Sequence, residues 1–372
     1  MSARAELWPI GTLCLAIGLL PVFRYTPALH AGTRRESRAR TSLISSLPII
    51  DGEQKVSRPR LPSWLRVNLP AGQPLAVLHS THHAVAEHGL HTVCEEARCP
   101  NLNDCWSRGT ATFMIAGKEC TRGCRFCSVE TRRTPDPPDP EEPAQLAAAV
   151  ERMGLAHVVI TVVNRDDLPD GGADHYKHCV EAVHDRLPHV SIELLSSDLA
   201  GDDAALAHLL DGIPLAVFAH NVECVPRLDR LVRDPRACFD QSLQVLRRAK
   251  ALRPDLWTKS SIMVGLGETN QEVNDAMQAL RAADVEMLTL GQYLAPGRPG
   301  ERFLPVDRFV PPAQFAAWTA EAGSMGFRAV AAGPLVRSSY RAGSLLEQAR
   351  MNNGKPRGTE DTQTIAECKM QN

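Results

Sequence analysis

Six of the eleven cysteines in this 372-residue chain fall between residues 94 and 127, and no other feature constrains the fold as strongly. The other five are scattered at Cys14, Cys179, Cys224, Cys238 and Cys368. Disulfide frameworks are typical of short secreted domains, whereas a chain of this length can bury a large core without cross-links. The cluster therefore indicates metal ligands held in a reducing compartment.

The segment Cys120-Thr-Arg-Gly-Cys124-Arg-Phe-Cys127 places three thiols on one short loop. Three thiolates can hold three irons of a [4Fe–4S] cluster, and the fourth iron then stays open to a small molecule. Zinc is the alternative metal, but structural zinc takes four ligands, often as paired Cys-x-x-Cys units, and this loop offers three. The spacing favours an iron–sulfur cluster with one open iron.

Downstream of residue 110, short apolar segments alternate with helical segments. We predict strands at residues 111–116, 157–163, 190–195, 215–219, 258–264 and 287–290. Helices are predicted at residues 143–153, 174–187, 203–210, 236–252, 271–282 and 313–325, and a short strand near 327–331. Because this alternation is typical of parallel sheets, we predict an α/β fold of the partial (β/α)6 TIM-type barrel kind, with its site at the carboxyl ends of the strands.

Residues 1–60 differ in composition from the rest of the chain. They carry nine Lys/Arg and four Asp/Glu, which leaves 32 basic and 39 acidic residues, a net charge of −7, for residues 61–372. The uncharged stretch Leu7–Phe23 precedes the Ser- and Arg-rich stretch Arg24–Arg40, so the segment is a signal or anchor, an organelle transit peptide, or an N-terminus without a role. We expect no stable membrane insertion, since Leu7–Phe23 is at the short limit for a bilayer. The acidic remainder argues against a nucleic-acid partner.

The spacing C-x3-C-x2-C, with Phe126 before the last cysteine, resembles the signature of the radical S-adenosylmethionine (SAM) superfamily. The resemblance implies that Cys120, Cys124 and Cys127 hold a [4Fe–4S] cluster whose open iron binds S-adenosylmethionine. One electron from the reduced cluster would then cleave the sulfonium and give a 5′-deoxyadenosyl radical. Phe126 would pack near the adenine.

Several segments are similar in detail to the lipoyl synthase family, from about residue 61 to residue 349. They are His91-Thr-Val-Cys-Glu-Glu-Ala-Arg-Cys-Pro-Asn-Leu102 with Cys105-Trp106, Asp166-Asp-Leu-Pro-Asp-Gly-Gly172, Met263-Val-Gly-Leu-Gly-Glu268, Gly291-Gln-Tyr-Leu294 and Gly333-Pro-Leu-Val-Arg-Ser-Ser-Tyr340. The resemblance implies a second, auxiliary [4Fe–4S] cluster on Cys94, Cys99 and Cys105. Its fourth ligand would be Ser339, with Ser338 as the alternative. Serine is a harder and weaker ligand than thiolate for iron in a sulfide cluster, which suits a cluster that must be dismantled.

The resemblance implies that two sulfur atoms are inserted, at C6 and C8, into an octanoyl group bound to a lysine of a lipoyl carrier domain. The auxiliary cluster would be the sacrificial sulfur source. The implied partners are octanoylated 2-oxoacid dehydrogenase E2 subunits and the glycine cleavage H protein, and an electron donor of the ferredoxin or flavodoxin type. The implied compartment is a bacterial cytoplasm, with a mitochondrial or plastid matrix as the alternative.

The same resemblance divides the chain into five parts. Residues 1–60 would be a targeting or poorly ordered segment, 61–109 an extension with the auxiliary cysteines, 110–310 the barrel, 311–349 a C-terminal extension and 350–372 a disordered tail. The alternative function is another sulfur-inserting radical SAM enzyme, similar to biotin synthase or to a tRNA methylthiotransferase. However, the first lacks this N-terminal triad, and the second should carry a basic appendage. A two-cluster electron carrier is a further alternative, but it needs eight cysteine ligands.

Some polar residues remain open between a site role and a structural role. Glu268 contacts S-adenosylmethionine or only precedes a helix capped by Thr269. The aspartates of residues 166–170 order the site or form a turn, and Lys259 faces the site or the solvent. The chain departs from the family pattern at Asn164, Ala219, Ser196-Ser-Asp198 and Gly297–Glu301.

Overall fold

The computed structural model describes residues 61–66, 79, 91, 92, 95, 99, 101–106, 112–297 and 301–353. Residues 1–60 and 354–372, as well as Cys94, lie outside the described residues, so the expectations for both ends of the chain stay predictions. By compactness the chain divides into Met1–Lys55 and Val56–Asn372, and every element described below belongs to the second unit.

The main sheet has eight strands, and all but the first run parallel. In spatial order they are β1 (His91–Thr92), β2 (Thr112–Ile115), β5 (His157–Val162), β6 (Ser191–Leu195), β7 (Val217–Ala219), β8 (Trp257–Val264), β9 (Met287–Gln292) and β10 (Ala329–Gly333). β1 is antiparallel to β2. A separate pair, β3 (Glu119–Cys120) and β4 (Glu130–Thr131), flanks the second cysteine triad.

Helices follow the parallel strands as predicted. Their bounds are α1 (Leu102–Trp106), α2 (Glu142–Met153), α3 (Ala173–Arg186), α4 (Asp203–Leu210), α5 (Asp229–Val232), α6 (Phe239–Leu252), α7 (Asn270–Ala282), α8 (Pro312–Ser324) and α9 (Ala342–Asn352). The largest shift from prediction is the start of α6, because the Asp234 carboxylate accepts the Arg236 N–H and forms a turn there. α9 continues three residues past 349, where we had placed the end of the C-terminal extension. No helix within the described ranges is long and apolar enough to cross a membrane.

The sheet curls around α9, which contacts β5 near one end of the strand order and both β9 and β10 at the other end. Successive side chains of a strand point to opposite faces. Leu288 and Leu290 of β9 accordingly belong to the large core beneath the outer helices, whereas Met287 packs with Leu345 and Leu346 of α9. The sheet stays open, with β1 and β10 as its edges. The α/β prediction is confirmed, and β10 adds a seventh parallel strand to the six predicted units.

A buried ion pair crosses the inner face of the curled sheet. The Lys259 Nζ of β8 lies 2.6 Å from the Glu193 Oε1 of β6, and both side chains are 1% exposed. The solvent-facing alternative for Lys259 is therefore wrong. Two charges out of water contribute little net stability as a pair, but removing one partner leaves the other uncompensated.

We predict that Lys259→Met lowers the free energy of unfolding by about 3–5 kcal/mol, because Glu193 is then a buried charge that has lost its cationic partner. Urea denaturation of the purified chain measures this loss. The double variant Lys259→Met/Glu193→Gln removes both charges and should recover most of it. Equal losses in the single and double variants would show that packing, not charge, holds this site.

Candidate active site

The second cysteine triad lies on one tight loop at the carboxyl edge of the sheet. Cys120 ends β3, and the N–H of Cys127 donates to the Cys124 carbonyl at 3.3 Å. Backbone N–H groups also point at two of the sulfurs: that of Arg122 lies 3.4 Å from the Cys120 Sγ, and that of Asp234 lies 3.3 Å from the Cys124 Sγ. The structure thus brings the three predicted ligands together, with donors already directed at their sulfurs.

The thiols of this loop are half-buried. Burial raises the pKa of Cys124 to about 11 and that of Cys127 to about 12. Both are therefore protonated at neutral pH unless a cation takes the place of the proton. Three soft donors on one turn suit iron in a sulfide cluster, and metal binding would release their protons.

Arg122 ties the cysteine loop to two strand ends. Its side chain is 3% exposed and donates to Asp166, which follows β5, and to Asp198, which follows β6, each at 2.7 Å. Burial opposes ionisation of these carboxyls, but the hydrogen bonds from Arg122 outweigh it and hold the pKa of both below the ordinary value. Asp166 therefore orders the loop, as one of the sequence alternatives proposed.

A second tie comes from the segment between α5 and α6. The Asp234 carboxylate accepts the Gly123 N–H at 2.9 Å, and Arg236 donates to the Thr121 carbonyl at 2.6 Å. Burial opposes ionisation of Asp234, yet the bonds from Arg236 and Gly123 lower its pKa to about 2. The loop is thus held from both sides by carboxylates that stay ionised.

The entry to the loop is held at Ala116, a residue with a left-handed φ of 66°. Its N–H donates to the Glu142 Oε2 at 2.7 Å, and its carbonyl accepts from the Arg165 Nη1 at 3.1 Å. Arg165 is itself paired with Asp167 at 2.8 Å. Because a non-glycine residue rarely adopts this conformation, the two bonds define the turn that starts the cysteine loop.

Glu142 also belongs to a trio with His175 and Cys179 whose ligand atoms lie within 4.8 Å of one another. The Glu142 Oε2 is 2.6 Å from the His175 Nε2 and already accepts the Ala116 amide. Two atoms bound to one zinc at about 2.1 Å with tetrahedral angles lie more than ~3 Å apart. The short separation is therefore a hydrogen bond, and the trio holds the turn rather than a metal.

A cleft lined by polar and charged side chains opens beside the loop. Its lining includes Arg122, Cys124, Phe126, Thr161, Asn164, Leu195, Ser196, Ser197, Asp198, His220, Asn221, Glu223 and Arg233. The Ser196 Oγ and Asn221 Oδ1 are buried there and have no hydrogen-bond partner among the described residues. Burial lowers the pKa of His220 to about 4 and raises that of Glu223. Unpaired polar atoms in such a cleft suit a polar organic ligand.

Glu268 lies in the loop after β8 and is not among the residues that line this cleft. One carboxylate oxygen accepts the Gly265 N–H at 2.8 Å and the other the Leu266 N–H at 2.9 Å, while Arg308 pairs with the group at 3.0 Å. Thr269 caps α7 in a reciprocal arrangement with Glu272, as one alternative predicted. Contact of Glu268 with S-adenosylmethionine stays a prediction.

Two cysteines of the first triad lie near the segment that contains the predicted serine ligand. Cys99 and Cys105 are half-buried, and the Asn101 side chain between them donates to the Leu335 carbonyl. Burial lowers the pKa of Arg337, and the nearby Cys99 opposes that shift. Gly291 lets this segment lie against β9, because a Cβ there would overlap the Val336 carbonyl oxygen. Ser338 and Ser339 are half-buried in the same turn.

The charged residues of the site that were not singled out from the sequence include Arg122, Asp198, Asp234 and Arg236. Arg122 lies inside the cysteine motif, and its position between two cysteines is the one sequence signal that could have indicated a buried arginine. Asp198 enters the sequence analysis only as part of the segment Ser196-Ser-Asp198, which departs from the family pattern. The other two lie more than 100 residues from the loop in the chain, so local spacing does not indicate them.

We predict that Arg122→Met destabilises the chain by about 3–5 kcal/mol, because the buried Asp198 carboxylate then loses its arginine partner. Arg122→Lys keeps the charge but loses the planar fork, so it should be milder in thermal unfolding and still bind less iron after anaerobic reconstitution. The matched control is Arg186→Lys, which alters an exposed pair with Glu151 and is expected to cost less than about 1 kcal/mol. Equal effects at both arginines would contradict the role of Arg122.

Comparison with known proteins agrees with this geometry. Residues 114–280 match the radical SAM superfamily, and residues 47–99 match the N-terminal domain of lipoyl synthase of the radical SAM family. A lipoyl synthase of Halorhodospira halophila is 52% identical over 297 residues, which are 80% of this chain and 86% of that protein. A mitochondrial lipoyl synthase of Bos taurus is 50% identical over 79% of this chain and 78% of its own length, and a chloroplastic one of Zea mays is 49% identical over 81% and 83%. The chain therefore belongs to the lipoyl synthase family of radical SAM enzymes, which use S-adenosylmethionine and [4Fe–4S] clusters.

Proposed function

We propose that this chain is a lipoyl synthase that inserts two sulfur atoms, at C6 and C8, into an octanoyl group carried on a lysine of a lipoyl carrier domain. The observation that carries the proposal is the cysteine loop, whose three thiols sit beside a polar cleft at the ends of β5, β6 and β7. The relatives at about 50% identity are lipoyl synthases, which favours this reaction over the biotin synthase-like and methylthiotransferase-like alternatives.

Cys120, Cys124 and Cys127 would hold the cluster that has an open iron, and the cleft would bind S-adenosylmethionine. When bound, these groups supply a one-electron cleavage that allows hydrogen to be removed from an unactivated carbon. The Phe126 ring lines the cleft and packs against the core, so it offers a fixed face to the adenine. The unpaired Ser196 Oγ and Asn221 Oδ1 are placed to bind polar groups. Glu268 would shape the loop after β8 through its two backbone bonds.

Cys94, Cys99 and Cys105 would hold the auxiliary cluster, with Ser339 as its fourth ligand. Support comes from the Asn101–Leu335 hydrogen bond, which joins the cysteine segment to the turn that contains Ser339. The Arg337 guanidinium lies in the same turn near Cys99.

The proposed partners follow from this chemistry. Octanoylated E2 subunits and the glycine cleavage H protein would supply the substrate, and a ferredoxin- or flavodoxin-type protein would supply electrons. The compartment must keep thiols reduced, as a bacterial cytoplasm or an organelle matrix does. Relatives include proteins named as mitochondrial and chloroplastic, so both kinds of compartment occur in the family.

We predict that the anaerobically reconstituted chain, given S-adenosylmethionine, dithionite and an octanoyl-lysyl peptide, adds two sulfur atoms to the peptide. Mass spectrometry of the peptide measures this gain, which should reach at most one event per chain because the sulfur source is consumed. Ser339→Ala should still cleave S-adenosylmethionine but transfer far less sulfur, since the auxiliary cluster loses its oxygen ligand.

The matched control is Ser338→Ala, which changes the same turn by one hydroxyl and should transfer sulfur normally. Loss of sulfur transfer in Ser338→Ala, but not in Ser339→Ala, would assign the fourth ligand to Ser338 instead. Cleavage of S-adenosylmethionine by the wild-type chain without any sulfur gain would keep a radical enzyme and reject the substrate.

We predict that Gly291→Ala displaces the Val336 carbonyl and thereby lowers the iron content of the auxiliary site, while the cluster on Cys120, Cys124 and Cys127 is retained. Iron analysis with Mössbauer spectroscopy distinguishes the two. Gly333→Ala is the control, because a Cβ there meets only the Val336 Cγ2 at 3.3 Å, which can move. Full auxiliary iron in Gly291→Ala would show that the close approach does not position the turn.

A further inference from the structure

We propose that the outer side of the cysteine loop is the docking surface for an acidic one-electron carrier protein, an inference that rests on the proposed function. The surface, which we call the arginine rim, consists of Arg125, Arg230, Leu231 and Arg302. All four side chains are exposed. They come from the cysteine loop, α5 and the segment after residue 300, which are distant in the chain.

Hydrogen bonds assemble the rim around the loop. The Arg125 N–H donates to the Val232 carbonyl at the end of α5 at 2.9 Å, and its Nε donates to the Arg302 carbonyl at 3.3 Å. The Arg302 guanidinium in turn donates to the carbonyls of Cys127 and Val129 at 2.8 and 2.9 Å. The rim is therefore in direct contact with the backbone that carries the cluster ligands.

The charges of the rim are not neutralised within the described residues. Arg125 and Arg230 form no ion pair there, and Arg302 donates to carbonyl and hydroxyl oxygens and lies over the Phe303 ring, without a carboxylate partner among these residues. The exposed carboxylates closest in sequence, Glu130 and Glu301, form no ion pair with them. Leu231 is 44% exposed and adds an apolar side chain next to Arg230 in α5. Uncompensated arginines with an exposed apolar residue, on a body with a net charge of −7, suit an acidic protein surface.

The position of the rim favours an electron carrier over the octanoylated carrier domain. Arg125 lies between Cys124 and Phe126 in sequence, yet those neighbours line the cleft and Arg125 does not. The octanoyl chain must enter the cleft, whereas an electron only needs a short path to the cluster. Electron transfer slows steeply with distance, so a donor must dock beside the ligand loop, and charge complementarity speeds such encounters.

The test compares a protein reductant with a chemical one. With photoreduced flavodoxin, we expect Arg230→Glu to raise the flavodoxin concentration that gives the half-maximal rate of single-turnover sulfur insertion about five- to tenfold and to flatten its dependence on ionic strength. With dithionite, the rate of sulfur insertion should not change. Binding of oxidised flavodoxin to the reconstituted chain, measured by calorimetry, should weaken by a similar factor. Leu231→Asp is a second variant with the same expected direction.

The matched control is Arg247→Glu, the same charge change at an exposed arginine of α6 that has no ion pair among the described residues. An unchanged half-saturating concentration of flavodoxin and unchanged flavodoxin binding in both rim variants would overturn the proposal, as would a rise in the half-saturating concentration of the octanoylated carrier domain instead. Iron content and thermal unfolding show whether a variant has folded. If the wild-type chain inserts no sulfur even with dithionite, the proposed function fails. The binding measurement still tests whether the arginine rim binds flavodoxin.

Discussion

The buried fork of Arg122 is the interaction on which the site depends. A loop with three cysteines has little apolar surface of its own, so its shape must come from outside. Arg122 reaches carboxylates at the ends of β5 and β6, and Asp234 reaches back to the backbone of Gly123. The loop is therefore an extension of the sheet edge rather than a free connection. Its ties also pass next to the cleft, because Arg122 and Asp198 line it. One set of buried charges thus positions both the thiols and the wall against which a cofactor would lie.

The two faces of the sheet have different tasks. The outer face is a continuous apolar core under the helices, and it resembles the interior of other α/β proteins. The inner face carries the Lys259–Glu193 pair together with polar atoms such as the Ser191 Oγ and Thr289 Oγ1, which have no partner among the described residues. Packing against α9 covers the far end of this face with Met287, Leu345 and Leu346. The stability of the fold thus comes mainly from the apolar core on the outer face of the sheet, and the inner face carries the polar groups.

The sequence predicts the elements of this fold well and the long-range pairs poorly, for a physical reason. Strand alternation and cysteine spacing are local patterns, so β5, α4 and the ligand loop follow from them. The partners of Arg122 are 44 and 76 residues away, and their pairing depends on how strand ends meet. Lys259 could not be assigned to the interior, because its partner Glu193 is 66 residues distant on another strand. Glu268 is the opposite case, because its partners are close in sequence. Its carboxylate already accepts two backbone N–H groups of its own loop, and the proposed cofactor role competes with these bonds.

The turn at residues 335–340, which lies close to β9, is near the C-terminal end of the chain. Its late synthesis has a consequence for how the two cluster sites form. The carboxylates that tie the cysteine loop lie within residues 116–236, so most of its shape can form while later parts of the chain are still being translated, and the bonds from Arg302 follow. The proposed auxiliary site cannot close until the turn beyond β10 has left the ribosome and settled on Gly291. The thiols nearest the start of the chain would therefore wait longest for their last ligand. Cluster delivery to this protein should be sequential, and the consumable cluster should be the second to arrive.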